Sequence, residues 1–195
     1  MNDQPSNRWT LPNLLTGFRF VAAPILLWLA WHGFAIGFML LLALAFLTDL
    51  LDGFVARMTG QVSEFGAALD SWADVVNYLT IAAGCWWLWP EVVRQEKLFV
   101  FMVLASCLFP AGAGFLKFGQ FTSYHTWGVK LAAASMGLTL YLLFLGGPAW
   151  PFRLAAVICI LAAIEEIALT LMLPTPESNV GSIWKVWRRR KSSRA

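Results

Sequence analysis

Four aspartates lie within one short stretch of an otherwise apolar chain. Residues 49–74 read DLLDGFVARMTGQVSEFGAALDSWAD, and the aspartates are Asp49, Asp52, Asp70 and Asp74. The segments on either side, FAIGFMLLLALAFLT and VVNYLTIAAGCWWLW, are apolar enough for a membrane interior. Ionisable side chains beside such segments are costly and usually mark a functional site. We therefore expect these carboxylates to bind something.

The spacing of the aspartates predicts two facing pairs. Asp49 and Asp52 are three residues apart, and Asp70 and Asp74 are four apart, so each pair shares one face of a helix. The short segment between them (58–65, MTGQVSEF) predicts that the two helices are antiparallel neighbours. Four facing carboxylates repel one another unless cations neutralise them, and Arg57 alone supplies too little positive charge. One or two hard divalent ions fit best, because Mg²⁺ takes oxygen ligands and shares its other positions with substrate phosphates. Two such ions form a recurring clamp for displacement at phosphorus.

Small residues accompany the aspartates. Gly53 follows Asp52, Ala56 lies one turn later, and Gly66 precedes Asp70 by four residues. Each removes side-chain bulk, which leaves room for a ligand near the backbone. The alternative is close helix packing through small residues. That alternative accounts for Ala56 and Gly66 but not for the aspartates.

Composition identifies the elements that must position these residues. The chain has 195 residues, of which 59% are hydrophobic and 13% charged, whereas soluble domains are about 45–50% apolar and about 25% charged. A membrane span needs about 20 apolar residues. The sequence predicts an all-α integral membrane protein with six transmembrane helices and an active site between helices 2 and 3. The predicted spans are 14–32, 34–51, 67–89, 97–117, 129–146 and 152–173. Residues 1–175 are expected to form one membrane domain, and residues 176–195 a basic tail.

The basic residues predict the orientation in the membrane. With six spans both termini share a side, and that side carries most of the basic residues: Arg8, Arg19, Arg57, Lys117, Lys130 and the tail KVWRRRKSSRA. The opposite loops keep only Arg94, Lys97 and Arg153. By the positive-inside rule, the termini and the aspartates are cytoplasmic. The tail suits the anionic headgroups of a bilayer, and no nucleic-acid partner is expected.

The pattern Asp49-xx-Asp52-Gly53-xx-Ala56-Arg57-x8-Gly66-xxx-Asp70-xxx-Asp74 resembles the complete signature of the CDP-alcohol phosphatidyltransferase family. The resemblance implies a membrane transferase of phospholipid biosynthesis. Such an enzyme displaces CMP from a CDP-linked lipid, CDP-diacylglycerol, by the hydroxyl of an acceptor alcohol. It also implies Mg²⁺ or Mn²⁺ as cofactor, with two ions expected, and a bacterial-type inner membrane as the location.

The same resemblance implies roles for individual residues. Asp49, Asp52 and Asp70 resemble the ligands of the first metal ion. Asp70 and Asp74 resemble those of the second, and Asp74 resembles the base that takes the proton of the acceptor. The positions that contact the nucleotide and diphosphate correspond to Gly53, Arg57, Ser63 and Gly66.

An N-terminal motif adds a second similarity. Pro12-Asn13-Leu14-Leu15-Thr16-xx-Arg19 resembles the segment beside the CDP group in glycerophosphate- and serine-using members. The alternative is an ordinary helix start, with Asn13 as a cap and Arg19 extended to the membrane surface. We favour substrate binding for Asn13 and Thr16 and leave both interpretations open for Arg19.

The acceptor alcohol is predicted less sharply. The segment KFGQFTSYHTWGVK carries Lys117, His125 and Lys130, and basic residues near this position bind an acceptor phosphate in relatives. Glycerol 3-phosphate is therefore the first choice, with these three residues and Arg19 as contacts. Serine is the alternative, because DSWADVV (70–76) resembles the corresponding segment of serine-using members. A purely structural, hydrogen-bonded His125 is the other interpretation of that residue.

A transporter of ions or protons is the alternative from a different class. It predicts charges distributed through the bilayer, whereas the aspartates cluster at one end of their helices. Only Glu165 and Glu166, in the last span, fit it. In an enzyme these glutamates are expected to face an internal polar partner or a contact in a homodimer, which is the expected assembly.

Overall fold

Every regular element among the described residues is a helix. The computed structural model describes residues 10–61, 63–119, 124, 126–175, 180–184, 186 and 188, with only the backbone of Arg57 and Glu64. The helices in these ranges are α1 (Leu11–Trp31), α2 (Ala35–Met58), α3 (Glu64–Leu88), α4 (Pro90–Gln95), α5 (Lys97–Phe118), α6 (Trp127–Phe144) and α7 (Trp150–Met172). Five of them, α1, α2, α5, α6 and α7, are long and apolar enough to cross a membrane. The predicted all-α membrane protein is confirmed, whereas a sixth span, which would be α3, stays a prediction.

Helix α1 begins at a capping residue and ends at a glycine turn that separates it from α2. The side chain of Thr10 caps α1 by accepting a hydrogen bond from the Asn13 amide at 3.4 Å, with proline in the first turn. Gly33 breaks the apolar run with a φ of 76°, a conformation that favours glycine. The predicted interruption between the first two spans is therefore confirmed.

The described residues up to Leu88 form one compact unit. In it α1 packs against both α2 and α3, while α2 and α3 make few direct contacts. Packing through α1 thus replaces the predicted direct pairing of α2 and α3. One direct approach exists near Gly84 of α3, where an added Cβ would lie 2.4 Å from Cε2 of the buried Phe38.

The described residues from Trp89 onward form a second unit, in which α5 and α6 both pack against α7. The short helix α4, which begins at Pro90, is not among the sequence predictions. Lys117, near the end of α5, donates hydrogen bonds to the carbonyls of Thr170, Leu171 and Leu173 at 2.8–3.1 Å. These carbonyls lie at the C-terminus of α7, where a cation is favourable.

Internal polar partners surround the two glutamates of α7. Glu165 accepts a hydrogen bond from the Thr126 hydroxyl at 2.9 Å and another from the Ile183 amide at 3.1 Å. Glu166 forms a hydrogen bond with the backbone of Tyr124. The first of the two expected environments, an internal polar partner, is therefore the one found.

The chain that follows α7 is partly packed. Val180 and Val186 are buried in an apolar cluster with Tyr124, Leu169 and Leu173. The Val180 amide also donates to the Tyr124 carbonyl at 3.2 Å. The segment predicted as a basic tail thus contains residues that belong to the core of the second unit.

Candidate active site

The four aspartates converge on a single guanidinium. Nη1 of Arg19, on α1, donates to Asp49 and, at 2.8 Å, to Asp74. Nη2 donates to Asp52 at 3.1 Å and to Asp70. One α1 side chain thereby joins the carboxylate pair of α2 to that of α3. The predicted meeting of the two pairs is correct, and the arginine between them provides the link.

Helix α1 supplies a second contact to this cluster. Thr16 lies three residues before Arg19 and therefore on the same helix face. Its hydroxyl donates to Asp52 at 2.8 Å, and both side chains are buried. The sequence interpretation of Arg19 as a residue that extends to the membrane surface is wrong, because its side chain is only 1% exposed. A lone arginine inside an apolar segment requires a counter-charge, and that signal could have identified the pairing.

The carboxylates differ in their access to solvent. The side chain of Asp52 is 7% exposed, whereas those of Asp70 and Asp74 are 21% and 29% exposed and that of Asp49 is 44% exposed. The cluster is therefore closed at Asp52 and open at Asp49, from where a ligand can approach.

Three of the carboxylates are placed to hold a metal ion. Asp49, Asp70 and Asp74 each offer an oxygen, and these oxygens lie within 4.8 Å of one another. Carboxylate oxygens are the ligands that Mg²⁺ and similar hard ions prefer, so the residues fit such an ion. For the first ion, the resemblance implied Asp49, Asp52 and Asp70, whereas the oxygens that lie close together here belong to Asp49, Asp70 and Asp74. The division of ligands stays a prediction.

Three predicted substrate contacts lie together at the start of α3. The Ser63 hydroxyl accepts a hydrogen bond from the Gly66 amide at 3.0 Å, which caps the helix. A Cβ at Gly66 would lie 2.9 Å from Oδ1 of Asn13 and 3.1 Å from Oγ of Ser63. Glycine is thus needed for Asn13, on α1, to come this close. Gly53 follows Asp52 on α2, and the Arg57 side chain lies outside the described residues.

Two of the predicted acceptor contacts, Lys117 and Lys130, belong to the second unit. Lys117 is bound to the end of α7, as described above. Lys130 is exposed, with its ammonium 5.3 Å from the centre of the Trp127 ring. His125 lies outside the described residues. The assignment of these residues to an acceptor stays a prediction.

Comparison with known proteins gives a family match and several relatives. A family model described as CDP-alcohol phosphatidyltransferase matches residues 9–175. A CDP-diacylglycerol–glycerol-3-phosphate 3-phosphatidyltransferase of Cereibacter sphaeroides is 36% identical over 141 residues, which cover 67% of this chain and 64% of the relative. A cardiolipin synthase (CMP-forming) of Rattus norvegicus is 49% identical over 74 residues, or 36% of this chain and 24% of the relative.

A third relative covers only a short segment. A CDP-diacylglycerol–serine O-phosphatidyltransferase of Methanocaldococcus jannaschii is 58% identical over 38 residues, or 20% of this chain and 19% of the relative. The chain thus spans less than two thirds of the length of each of these three relatives. No solved structure matches the chain.

Proposed function

The chain belongs to the CDP-alcohol phosphatidyltransferase family, and from this premise we propose that it releases CMP from CDP-diacylglycerol by transferring the phosphatidyl group to an acceptor alcohol. One observation carries the proposal: the four signature aspartates, from two different helices, meet at one partly open cluster. Two ions of Mg²⁺ or Mn²⁺ would be held there by the carboxylates of Asp49, Asp70 and Asp74. Asp52 would be the fourth ligand. Such ions supply neutralisation of the diphosphate charge.

In the proposed reaction the acceptor hydroxyl oxygen forms a bond to the lipid-side phosphorus of CDP-diacylglycerol. The bond from that phosphorus to the oxygen of CMP breaks, and CMP leaves with the electron pair. The hydroxyl proton passes to the carboxylate of Asp74. The partial exposure of Asp74 supports this role, because a base must reach the hydroxyl it deprotonates.

The nucleotide and diphosphate are proposed to bind beside the start of α3. Asn13, Ser63 and Gly66 meet there, and Thr16 and Gly53 adjoin Asp52. The start of a helix presents backbone N–H groups and favours an anion. Arg57, the remaining basic residue of the signature, would neutralise part of the diphosphate charge.

Glycerol 3-phosphate is the proposed acceptor. Among the three relatives described, the one matched over the largest share of this chain is named for that substrate. Serine is the alternative, because the relative with serine in its name matches at higher identity over a shorter segment. Lys117, His125, Lys130 and Arg19 remain the proposed acceptor contacts. Lys117 would have to give up part of its bonding to α7 to serve in this way.

The proposed setting is a bacterial-type inner membrane. The polypeptide would cross it six times, with both termini and the aspartate cluster on the cytoplasmic side, and assemble as a homodimer. The distribution of basic residues supports the orientation.

The test is release of CMP from CDP-diacylglycerol by the full chain in detergent with Mg²⁺ or Mn²⁺. Glycerol 3-phosphate, serine and a phospholipid alcohol would be compared as acceptors, and we expect glycerol 3-phosphate to give the fastest release. Asp74→Asn should lower turnover by about 100-fold or more, since general-base catalysis contributes about that much, and should leave binding of CDP-diacylglycerol largely intact. Glu91→Gln, which changes an exposed carboxylate of the second unit, is the control. CMP release at the wild-type rate by Asp74→Asn would refute the role of Asp74.

A further inference from the structure

The Arg19 guanidinium is held almost entirely by the aspartate cluster. It is buried, and its two terminal nitrogens contact all four carboxylates. Its third nitrogen, Nε, is also buried and has no hydrogen-bond partner among the described residues. A buried donor without a partner is unfavourable. The position of this side chain therefore depends on the attraction of the aspartates.

A divalent ion would use the same acceptors. Asp49, Asp70 and Asp74 offer the oxygens that lie within 4.8 Å of one another, and all three residues are partners of Arg19. Mg²⁺ binds oxygen at about 2.0–2.1 Å in a nearly octahedral arrangement. An ion among these oxygens would stand next to the guanidinium, and two cations that share the same acceptors repel each other.

We propose that Arg19 is a built-in counter-ion that competes with divalent ions for the aspartate cluster. Metal binding then requires the guanidinium to withdraw from part of its contacts. Without metal, Arg19 offsets the repulsion among the carboxylates and holds α1 against α2 and α3. This inference rests on the proposed function, because it takes the aspartates as the metal site.

Competition and positioning predict opposite effects of removing the arginine. If Arg19 competes, an uncharged side chain frees the acceptors and removes a repulsive charge, so metal binding becomes tighter. If Arg19 instead holds the carboxylates in the geometry that the metal needs, metal binding becomes weaker.

The experiment is a titration of the full chain with Mn²⁺ in detergent, without substrate, in which electron paramagnetic resonance measures the free ion. We expect Arg19→Gln to bind Mn²⁺ about tenfold tighter than the wild type or more, because a unit charge a few ångströms from a divalent ion costs at least that much. Arg19→Lys keeps the charge but lacks the planar fork and should fall between the two. Arg153→Gln removes an equal charge from a half-exposed site in the second unit and should not change Mn²⁺ binding.

Thermal unfolding provides the second measurement. In EDTA, Arg19→Gln should have a lower Tm than the wild type. Saturating Mn²⁺ should raise the Tm of the variant by more than it raises the Tm of the wild type. Equal or weaker Mn²⁺ binding by a folded Arg19→Gln protein would overturn the competition. If Arg19→Gln does not unfold cooperatively, Arg19→Lys takes its place. Mn²⁺ binding by Arg19→Lys that is equal to or weaker than that of the wild type then overturns the competition. A wild type and variants that all fail to bind Mn²⁺ would overturn the metal assignment of the proposed function, and the competition with it.

Discussion

Three charged side chains in the apolar helices, those of Arg19, Lys117 and Glu165, are bound to specific local partners. Arg19 contacts four carboxylates, Lys117 contacts three carbonyls, and Glu165 accepts hydrogen bonds from Thr126 and Ile183. An uncompensated charge in such surroundings is costly. Residues that look unrelated along the sequence are therefore coupled by charge.

Glu96 and Arg153 form a second strongly bonded pair, outside the aspartate cluster. The arginine donates from Nε and Nη2 to the two carboxylate oxygens, at 2.9 and 2.7 Å. Glu96, which lies between α4 and α5, is buried, and the hydrogen bonds from Arg153 lower its pKa below the ordinary value of 4.5. The folded state thus favours the ionised carboxylate, which stabilises the fold above pH 4.5.

This pair predicts a pH-dependent effect of Arg153→Gln. Near neutral pH, where Glu96 is ionised, the variant should have a lower Tm than the wild type, since Glu96 loses its bidentate partner. As the pH falls from 4.5 through the lower pKa of folded Glu96, the carboxylate is protonated and the pair no longer stabilises the fold. The difference in Tm between the variant and the wild type should therefore shrink in that pH range.

Arg94→Gln is the matched control. It breaks the pair with Glu91, in which both side chains are more than half exposed, and such surface pairs contribute little. Its Tm should follow that of the wild type across the same pH range. A difference between Arg153→Gln and the wild type that stays constant down to the lowest pH would contradict the assigned role of Glu96.

At the scale of the helices, α1 determines how the aspartate cluster is assembled. The sequence predicts the helices themselves well, because long apolar runs and the break at Gly33 are local signals. It also predicts the aspartate pairs, because helical spacing fixes which residues share a face. It does not predict that α1 packs against both α2 and α3, since lipid-facing and helix-facing apolar residues look alike in sequence. The pairing of Arg19 with the aspartates was missed for this reason.

Two glycines test the packing of the helices. A Cβ at Gly84 in α3 would lie 2.4 and 2.6 Å from ring atoms of the buried Phe38 in α2, whereas a Cβ at Gly112 in α5 would meet nothing within 4 Å. We expect Gly84→Ala to destabilise the protein by about 1–3 kcal/mol, because overpacking forces a shift of the ring or the backbone. Gly112→Ala should be neutral or stabilising by up to about 1 kcal/mol, since alanine favours the helix.

The measurement is unfolding of both variants in detergent under identical conditions. The substitution is the same in each case and adds one methyl group to the interior of a long helix, so helix propensity cancels in the comparison. Equal stability of the two variants would contradict the close approach of α2 and α3 at Phe38.

At the scale of the whole molecule, the number of spans depends on α3. It has 25 residues, which at about 1.5 Å per residue is longer than a hydrocarbon core of about 30 Å. Polar residues such as Asp70, Asp74 and Asn77 set it apart from the five helices that are apolar enough to span a membrane. Pairing of these aspartates with Arg19 lowers the cost of placing them near the membrane. Apart from Asn77, the residues that follow Asp74, VVNYLTIAAGCWWLW, are mostly apolar.

The topology predicted for the whole chain follows from this argument and can be measured. If α3 spans the membrane, the chain crosses six times, both termini are cytoplasmic, and the segment with Arg94 and Lys97 lies on the opposite side. Alkaline phosphatase, which is active only outside the cytoplasm, should be active when fused after Gln95 and inactive when fused after Gly119. Green fluorescent protein, which serves as the reciprocal reporter, should fluoresce after Gly119 and at the C-terminus but not after Gln95. The Gly119 fusion is the control, because α5, one of the five apolar helices, separates the two positions. An inactive phosphatase after Gln95 together with an active one after Gly119 would contradict the predicted topology, because Gln95 would then lie in the cytoplasm and Gly119 outside it.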